Sequence, residues 1–288
     1  MMKRLWLAAL LFAASAAGAQ VLKDDLGREV ALAGAGKRIA TLSPFLTEAA
    51  FAVGAGAEVV GVSEYSDFPP YARRITPVSG VNGVAWERLV AVRPDLALAW
   101  KDSLKEGDLE RFEKAGVPVF VFAGRRLDDV PRMLGTVSHL LGRAANPDVA
   151  RRFEQRIAEL RKEYSGKRRV PVLLEIAHKP LMTVAGEHFI NDALAVCGAE
   201  NAFASLPGVA PEIPWELVMS KDPAAIVGAG APDAEQAFRD RWRERATLRA
   251  VKANAFVYLN PDLLFRPTPR LADGVEALCK GIDKLREK

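Results

Sequence analysis

The chain has 288 residues, 50% of them hydrophobic and 26% charged, a balance that excludes disorder and leaves room for two domains of ordinary size. The formal net charge is +4, and the basic residues are scattered among acids without a basic stripe. Nucleic-acid binding has no support, because no stretch gathers the cations that a phosphate backbone needs.

The first segment, MMKRLWLAALLFAASAAGAQ, carries Lys3 and Arg4, then an apolar stretch from Leu5 to Ala14, then Ala17-Gly18-Ala19. That is the layout of a secretory signal peptide with a small-x-small cleavage pattern, and its apolar part is too short to span a membrane. A buried N-terminal helix is the competing reading. Cleavage is expected after Ala19, and no Cys stands there to take a lipid anchor. The mature chain is then expected in an exported compartment, the periplasm of a twin-membrane host.

A short strand-like stretch, Val21–Val30, opens the mature chain. RIATL (Arg38–Leu42) predicts a strand, and Ser43-Pro44 a capped helix with Glu48 near its start, ending at Gly54 and Gly56. Val59–Val62 reads as a strand, and EYSDFPP (Glu64–Pro70) must be a loop because tandem prolines block helix and ladder alike. A helix is expected over Trp86–Val92, a strand over Leu96–Trp100, a helix over Leu109–Ala115, a strand over Val117–Phe122 and a helix over Leu127–Leu141. This βα repetition predicts a largely parallel sheet covered on both faces. A long helix follows from Asn146-Pro147-Asp148 to Tyr164, ended by Gly166. The pattern then resumes: strands at Val170–Ile176, Ala225–Val227 and Ala255–Leu259, with helices at His188–Cys197, Trp215–Ser220, Ala234–Arg245 and Thr268–Leu285. The fold class expected is α/β, with two Rossmann-like lobes (residues 20–143 and 167–288) joined by one linking helix (144–166). Such a spine predicts small closure motions.

Two cysteines, Cys197 and Cys279, lie 82 residues apart. An oxidising compartment and an even count invite a bridge, whose loop entropy amounts to about 4 kcal/mol; two separate buried thiols are the alternative. The three histidines, His139, His178 and His188, form no metal-ligand spacing, and no nucleophile elbow, Walker loop or dinucleotide glycine pattern is present. Neither a metal site nor catalysis is expected. A binder of a large organic ligand fits better, since such pockets are apolar and aromatic and lie at the carboxyl ends of the strands. Those ends carry Phe45, Tyr65, Asp67, Phe68, Trp100 and Lys101 in the first lobe, and His178–Met182, Asp262, Phe265 and Arg266 in the second. Ordinary packing explains many aromatics near strand ends, but the loop holding Tyr65 cannot be core.

One pattern occurs twice. Trp86-Glu87 and Trp215-Glu216 are each followed by six residues, then a proline (Pro94, Pro223), then an apolar run. Carboxylates in first helical turns complement the helix dipole, which is the local explanation. Two lobes would also set the glutamates apart on one outer side, a layout suited to a two-fold partner that carries arginines.

RIATLSPFLTEAAFAVGAGAEVVGVSEYSDFPP, WERLVAVRPDLALAW, DALAVCGAENAF and RPTPRLADGVEALC resemble the helical-backbone (class III) periplasmic binding proteins of ABC importers, the cobalamin (vitamin B12) binders in particular. The resemblance covers nearly all the mature chain. It implies a monomeric solute-binding protein, not an enzyme, with cobalamin or a related corrinoid as ligand rather than cofactor and an ABC permease dimer as partner. It implies a Cys197–Cys279 disulfide, ligand contacts at Tyr65, Trp100, Asp262 and Arg266, and docking glutamates at Glu87 and Glu216. Further cleft tryptophans of that family would fall near Val81 and Ala210, where this chain has none; Trp86 is expected to substitute for the first from a shifted position and Phe265 to help from the other lobe, and Phe45 is a further expected ligand contact. A ferric siderophore or haem is the alternative ligand, an exported tetrapyrrole-modifying enzyme the rival class. Arg266 stands nearly alone as a cleft cation, against a siderophore, and only Tyr65 with His178 could be imagined as a haem axial pair.

Overall fold

The computed structural model describes residues 20–143 and 147–287. The expected leader, residues 1–19, and the first residues of the expected linking helix, 144–146, lie outside the described residues.

A hairpin of β1 (Gln20–Lys23) and β2 (Glu29–Leu32) precedes the first sheet. That sheet is built from β3 (Ile39–Thr41), β4 (Val59–Ser63), β5 (Pro77–Gly80), β6 (Gly83–Val84), β7 (Leu96–Trp100) and β8 (Val119–Phe122). Its order is β6-β5-β4-β3-β7-β8, parallel throughout except for β6. Helices α1 (Pro44–Ala52), α2 (Trp86–Ala91), α3 (Asp108–Lys114) and α4 (Asp129–Leu140) connect it. α5 (Pro147–Tyr164) is the spine.

Beyond the spine come β9 (Val170–Leu174), the hairpin β10 (Ala177–His178) and β11 (Leu181–Met182), α6 (Phe189–Val196), β12 (Ala199–Asn201), α7 (Trp215–Lys221), β13 (Ala225–Ala229), α8 (Glu235–Arg243), α9 (Arg249–Lys252), β14 (Phe256–Leu259), α10 (Pro261–Leu264) and α11 (Leu271–Arg286). The second sheet has the order β12-β9-β13-β14, all parallel.

The period-2 alternation of strand side chains assigns the core. In β7 and β8, Leu96, Leu98, Phe120 and Phe122 face one apolar cluster, while Ala97, Ala99, Val119 and Val121 face another. In β9 and β13, Val172, Leu174 and Val227 join the first of these clusters, while Leu173 and Ile226 face a third. One core is therefore common to both lobes. The spine supplies its central wall through Phe153, Ile157, Leu160 and Tyr164, all at most 4% exposed. Burying side chains of this size contributes about 2 kcal/mol each. Separating the lobes would open that core, so the closure motions expected are small.

The bridge implied by the resemblance is formed: Cys197 at the end of α6 is bonded to Cys279 in α11. Ser43 occupies the N-cap of α1, but its hydroxyl does not cap the helix; it lies 3.5 Å from the Ser103 hydroxyl. The strands β5, β6, β10, β11 and β12, absent from the sequence reading, are short and poor in apolar runs.

Candidate functional site at the carboxyl ends of the strands

The repeated Trp-Glu pattern is a structural repeat. Glu87 and Glu216 both occupy the first turn of a short helix, α2 and α7. Before the following proline the backbone turns left-handed in both, at Arg93 (φ 43°) and Asp222 (φ 40°). Both carboxylates are exposed. Strand β7 follows one proline and β13 the other, which places the glutamates at equivalent positions of the two lobes.

The cleft aromatics sit where β3, β4 and β7 end. Trp100 closes β7 half-buried, and Phe45 at the start of α1 meets its ring edge-on, centroids 5.1 Å apart at 90°. Tyr65 follows β4 with φ 64°, a left-handed conformation that costs a bulky residue energy and is a signature of functional loops. Its side chain is 72% exposed. A depression of about 480 Å³ opens at this loop, lined among others by Ser63, Tyr65, Asp67 and Arg73. A larger one, about 540 Å³, lies at the opposite end of the strands beside Arg28, Gly116 and Val119, away from these aromatics.

The structure brings Arg266 and the Tyr65 loop together across the lobes. Arg266 Nη1 donates to Glu48 Oε1 (3.1 Å) and Asp67 Oδ1 (2.8 Å), and Nη2 to the Tyr65 carbonyl (3.3 Å). Nη2 also lies 2.8 Å from Asp262 Oδ1. Burial opposes the charge on Arg266, but the bonds to Asp67 and Glu48 outweigh it and raise its pKa. Burial likewise pushes the Asp67 carboxyl up, and the Arg266 guanidinium more than reverses this, holding it below the usual carboxylate range. Arg266 is not alone: Arg270 donates to both oxygens of Glu48 (2.9 and 2.7 Å) and lies over the Phe68 ring, 3.8 Å from its centroid. The reading of an isolated cleft arginine is corrected. Glu48, 3% exposed on α1, is the hub that holds Arg266 and Arg270 of the second lobe. Phe265 is half-buried against the shared core.

Trp86 is not brought to Trp100. It packs edge-on to buried Phe112 (4.9 Å, 61°) beneath the guanidinium of Arg111. His178 is enclosed in an aromatic cluster, 6.0 Å from Trp215 and 5.9 Å from Trp242, with Nδ1 3.5 Å from Glu175 Oε2. Val81 (79% exposed, at the β5–β6 turn) and Ala210 are both exposed, so the positions without tryptophan lie on the surface. Among the described residues no group of three or more His, Cys, Asp or Glu could hold a metal ion.

Sequence patterns miss Glu48 and Arg270, whose contact spans 222 residues. His188 they place on a helix without a role. Its Nδ1 accepts from the Ile190 amide (3.2 Å) and so caps α6. Burial first, then the Arg125 cation, depress its pKa to about 4. The native state keeps it neutral while the unfolded chain protonates near 6.5. Its contribution is therefore intact above pH 6.5 and is lost as pH falls toward 4, to about 3 kcal/mol. His188→Asn keeps a cap acceptor and is expected to flatten the stability–pH curve in that window, read by chemical denaturation at pH 4.5 and 7.

A family model described as Periplasmic binding protein matches residues 39–263. The chain belongs to that family. Among the relatives of this periplasmic binding protein, a Vitamin B12-binding protein of Vibrio cholerae is 32% identical over 247 residues, 84% of this chain and 88% of the relative. The crystal structure of the periplasmic Vitamin B12 binding protein of Vibrio cholerae superposes with a TM-score of 0.79 at 31% identity, covering 88% of this chain and 99% of that one. A periplasmic heme binding protein from Pseudomonas aeruginosa shares the fold at 24% identity, with a TM-score of 0.75 over 86% and 92% of the two chains. Two α/β lobes on one helical spine are thus the architecture of this family, whose members are solute binders that act in the periplasm.

Proposed function

We propose that this periplasmic binding protein captures cobalamin or a related corrinoid between its lobes and delivers it to an inner-membrane ABC importer. The observation that carries the reading is the aromatic surface at the strand ends, exposed Tyr65 with the Phe45–Trp100 pair, in a chain whose relatives include vitamin B12 binders. A flat macrocycle stacks on such a surface, and apolar area with few polar anchors is what a large ligand needs. Asp262, with its side chain 36% exposed, supplies an acceptor for the ligand's amides. Arg266 acts mainly behind it, since both of its terminal nitrogens are engaged within the protein. Arg266 and Arg270 are balanced by Glu48, Asp67 and Asp262, so this cluster offers no net positive charge to the carboxylates of haem or an anionic siderophore.

Under this reading residues 20–143 and 167–288 are the lobes, residues 144–166 link them, and the leader is removed after Ala19. The mature protein works as a monomer, carries no catalytic cofactor, and docks through Glu87 and Glu216 onto a permease dimer.

The test is calorimetric titration of cyanocobalamin into residues 20–288, with haemin and a ferric hydroxamate as competitors. The expected result is one site with Kd below about 1 μM, weakened about tenfold by Tyr65→Ala. No binding of cyanocobalamin beside tight binding of haemin would overturn the ligand assignment.

A further inference from the structure

The tryptophan that precedes each of the two glutamates has the same two neighbours. In the first lobe Trp86 is half-buried, meets buried Phe112 edge-on at 4.9 Å, and is covered by Arg111, 5.0 Å from the ring centroid. In the second lobe Trp215 is half-buried, meets buried Trp242 at 5.4 Å and 67°, and is covered by Arg245, 4.2 Å from the centroid. The arginines come from the helix that follows the equivalent strand of each lobe, Arg111 within α3 after β7 and Arg245 two residues past the end of α8 after β13. The guanidinium over the tryptophan is thus a second feature that both lobes repeat, at a different offset from the Trp-Glu pair in each.

Charge gives the arrangement a purpose. Glu87, Glu216, Arg111 and Arg245 are all exposed, and among the described residues none of the four has an ion-pair partner within 4.0 Å. A guanidinium on an indole face is held flat and pre-oriented while its edge stays free to donate. Each lobe therefore shows a cation seated on the indole and, on the residue after that tryptophan, an exposed carboxylate.

We propose that the docking surface is two copies of a Trp–Glu–Arg module, Trp86/Glu87/Arg111 and Trp215/Glu216/Arg245. This rests on the reading that the two glutamates dock. The partner is then a two-fold membrane protein that presents, on each half, a basic side chain for the glutamate and a carboxylate or carbonyl group for the arginine. A wholly basic partner surface, sufficient for the glutamates alone, would be repelled by Arg111 and Arg245. The mixed pattern makes the docking selective for permeases with paired charges, since a like-charge contact costs more than a neutral one. Trp86 in this proposal belongs to the docking surface and not to the cleft.

The experiment uses the full mature chain and its host's corrinoid permease–ATPase complex in nanodiscs, with association read by surface plasmon resonance. Three double variants are compared: Glu87→Ala/Glu216→Ala, Arg111→Met/Arg245→Met, and Arg111→Glu/Arg245→Glu. Methionine keeps the apolar cover on each indole and removes only the charge. The methionine pair is expected to weaken association about tenfold, and the charge-reversed pair more, with cyanocobalamin affinity and unfolding midpoint unchanged. Association within twofold of wild type for both arginine pairs, when the glutamate pair abolishes it, overturns the module and leaves the docking glutamates standing. Unaltered association of the glutamate pair overturns both. A methionine pair that loses ligand affinity equally would return Trp86 to the cleft and also overturn the module.

Discussion

Replacing Glu48 by alanine is expected to lower the unfolding midpoint by roughly 10 °C, and with it the grip of the second lobe on the Tyr65 loop. Glu48 is 3% exposed and receives hydrogen bonds from Arg266 and from two nitrogens of Arg270. A buried ion pair is only weakly stabilising against a well-packed apolar replacement, because desolvating both charges offsets their attraction. Removing one partner is different: it strands the other charge, at about 3 kcal/mol. Arg266 retains Asp67 and Asp262, whereas among the described residues Arg270 keeps the Phe68 ring alone. Arg270 should therefore account for most of the loss. Glu48→Gln/Arg270→Gln, with no unpaired cation, is expected to recover more than half of it. The loop should also become mobile, since Arg266 and Arg270 hold it at Asp67, the Tyr65 carbonyl and Phe68. Thermal unfolding followed by circular dichroism reads the first effect, and the cyanocobalamin off-rate reads the second. A midpoint within about 2 °C of wild type would show that the guanidinium groups reach solvent freely and that Glu48 is no hub.

That hub marks the limit of what the sequence makes legible. RIATL, LALAW and AFVYL are recognisable as strands because a buried parallel strand is a short apolar run between turn signals, a property of adjacent residues. The spine helix is legible for the same reason: a Pro start, a Gly stop, and apolar residues at helical spacing between them. The candidate ligand residues follow from one rule, that loops after parallel strands line the cleft, which locates Tyr65 and Trp100 without any knowledge of which lobe faces which. Glu48 appears in the sequence as an acid near the start of a helix, one turn in, with no local partner to single it out. Nothing local marks it as the acceptor for arginines more than 200 residues downstream.

The Trp-Glu repeat shows the opposite case. Its equal spacing to a proline is a local signal, and the left-handed residues Arg93 and Asp222 show why the spacing holds: both helices must be reversed into a strand in the same number of residues. The arginines that cover the two tryptophans have no such signal. Arg111 lies 25 residues after its tryptophan and Arg245 lies 30 after its own, so no shared offset could reveal them. The hairpin β10–β11 escaped for a third reason. Its turn is built on a cis peptide before Pro180, in a stretch too short and too mixed to show alternation.

Breaking the Cys197–Cys279 bridge is expected to cost about 4 kcal/mol, because the bond closes an 82-residue loop in the unfolded chain. The loop encloses β12, α7, β13, α8, α9, β14 and α10, which is most of the second lobe. Both sulfurs are fully buried, between α6 and α11. Cys197→Ala, Cys279→Ala and the double variant should unfold at nearly the same denaturant concentration, each well below wild type. Either single change removes the entire link, so the second has only a side chain left to remove. That non-additivity is the signature of a bond, where two independent buried thiols would give a double variant about as destabilised as the sum of the singles. Reductant offers the complementary reading. With the sulfurs shielded, dithiothreitol should leave the folded protein and its ligand affinity unaffected, yet lower the midpoint when present through the unfolding transition. Ligand capture at ordinary temperature should survive in the double variant, weakened only as far as α11 shifts, because Arg270 stands immediately before that helix and carries its position to Glu48. A double variant that unfolds where wild type does would mean that the shared core around the spine already holds the second lobe, and that the bridge adds nothing to it.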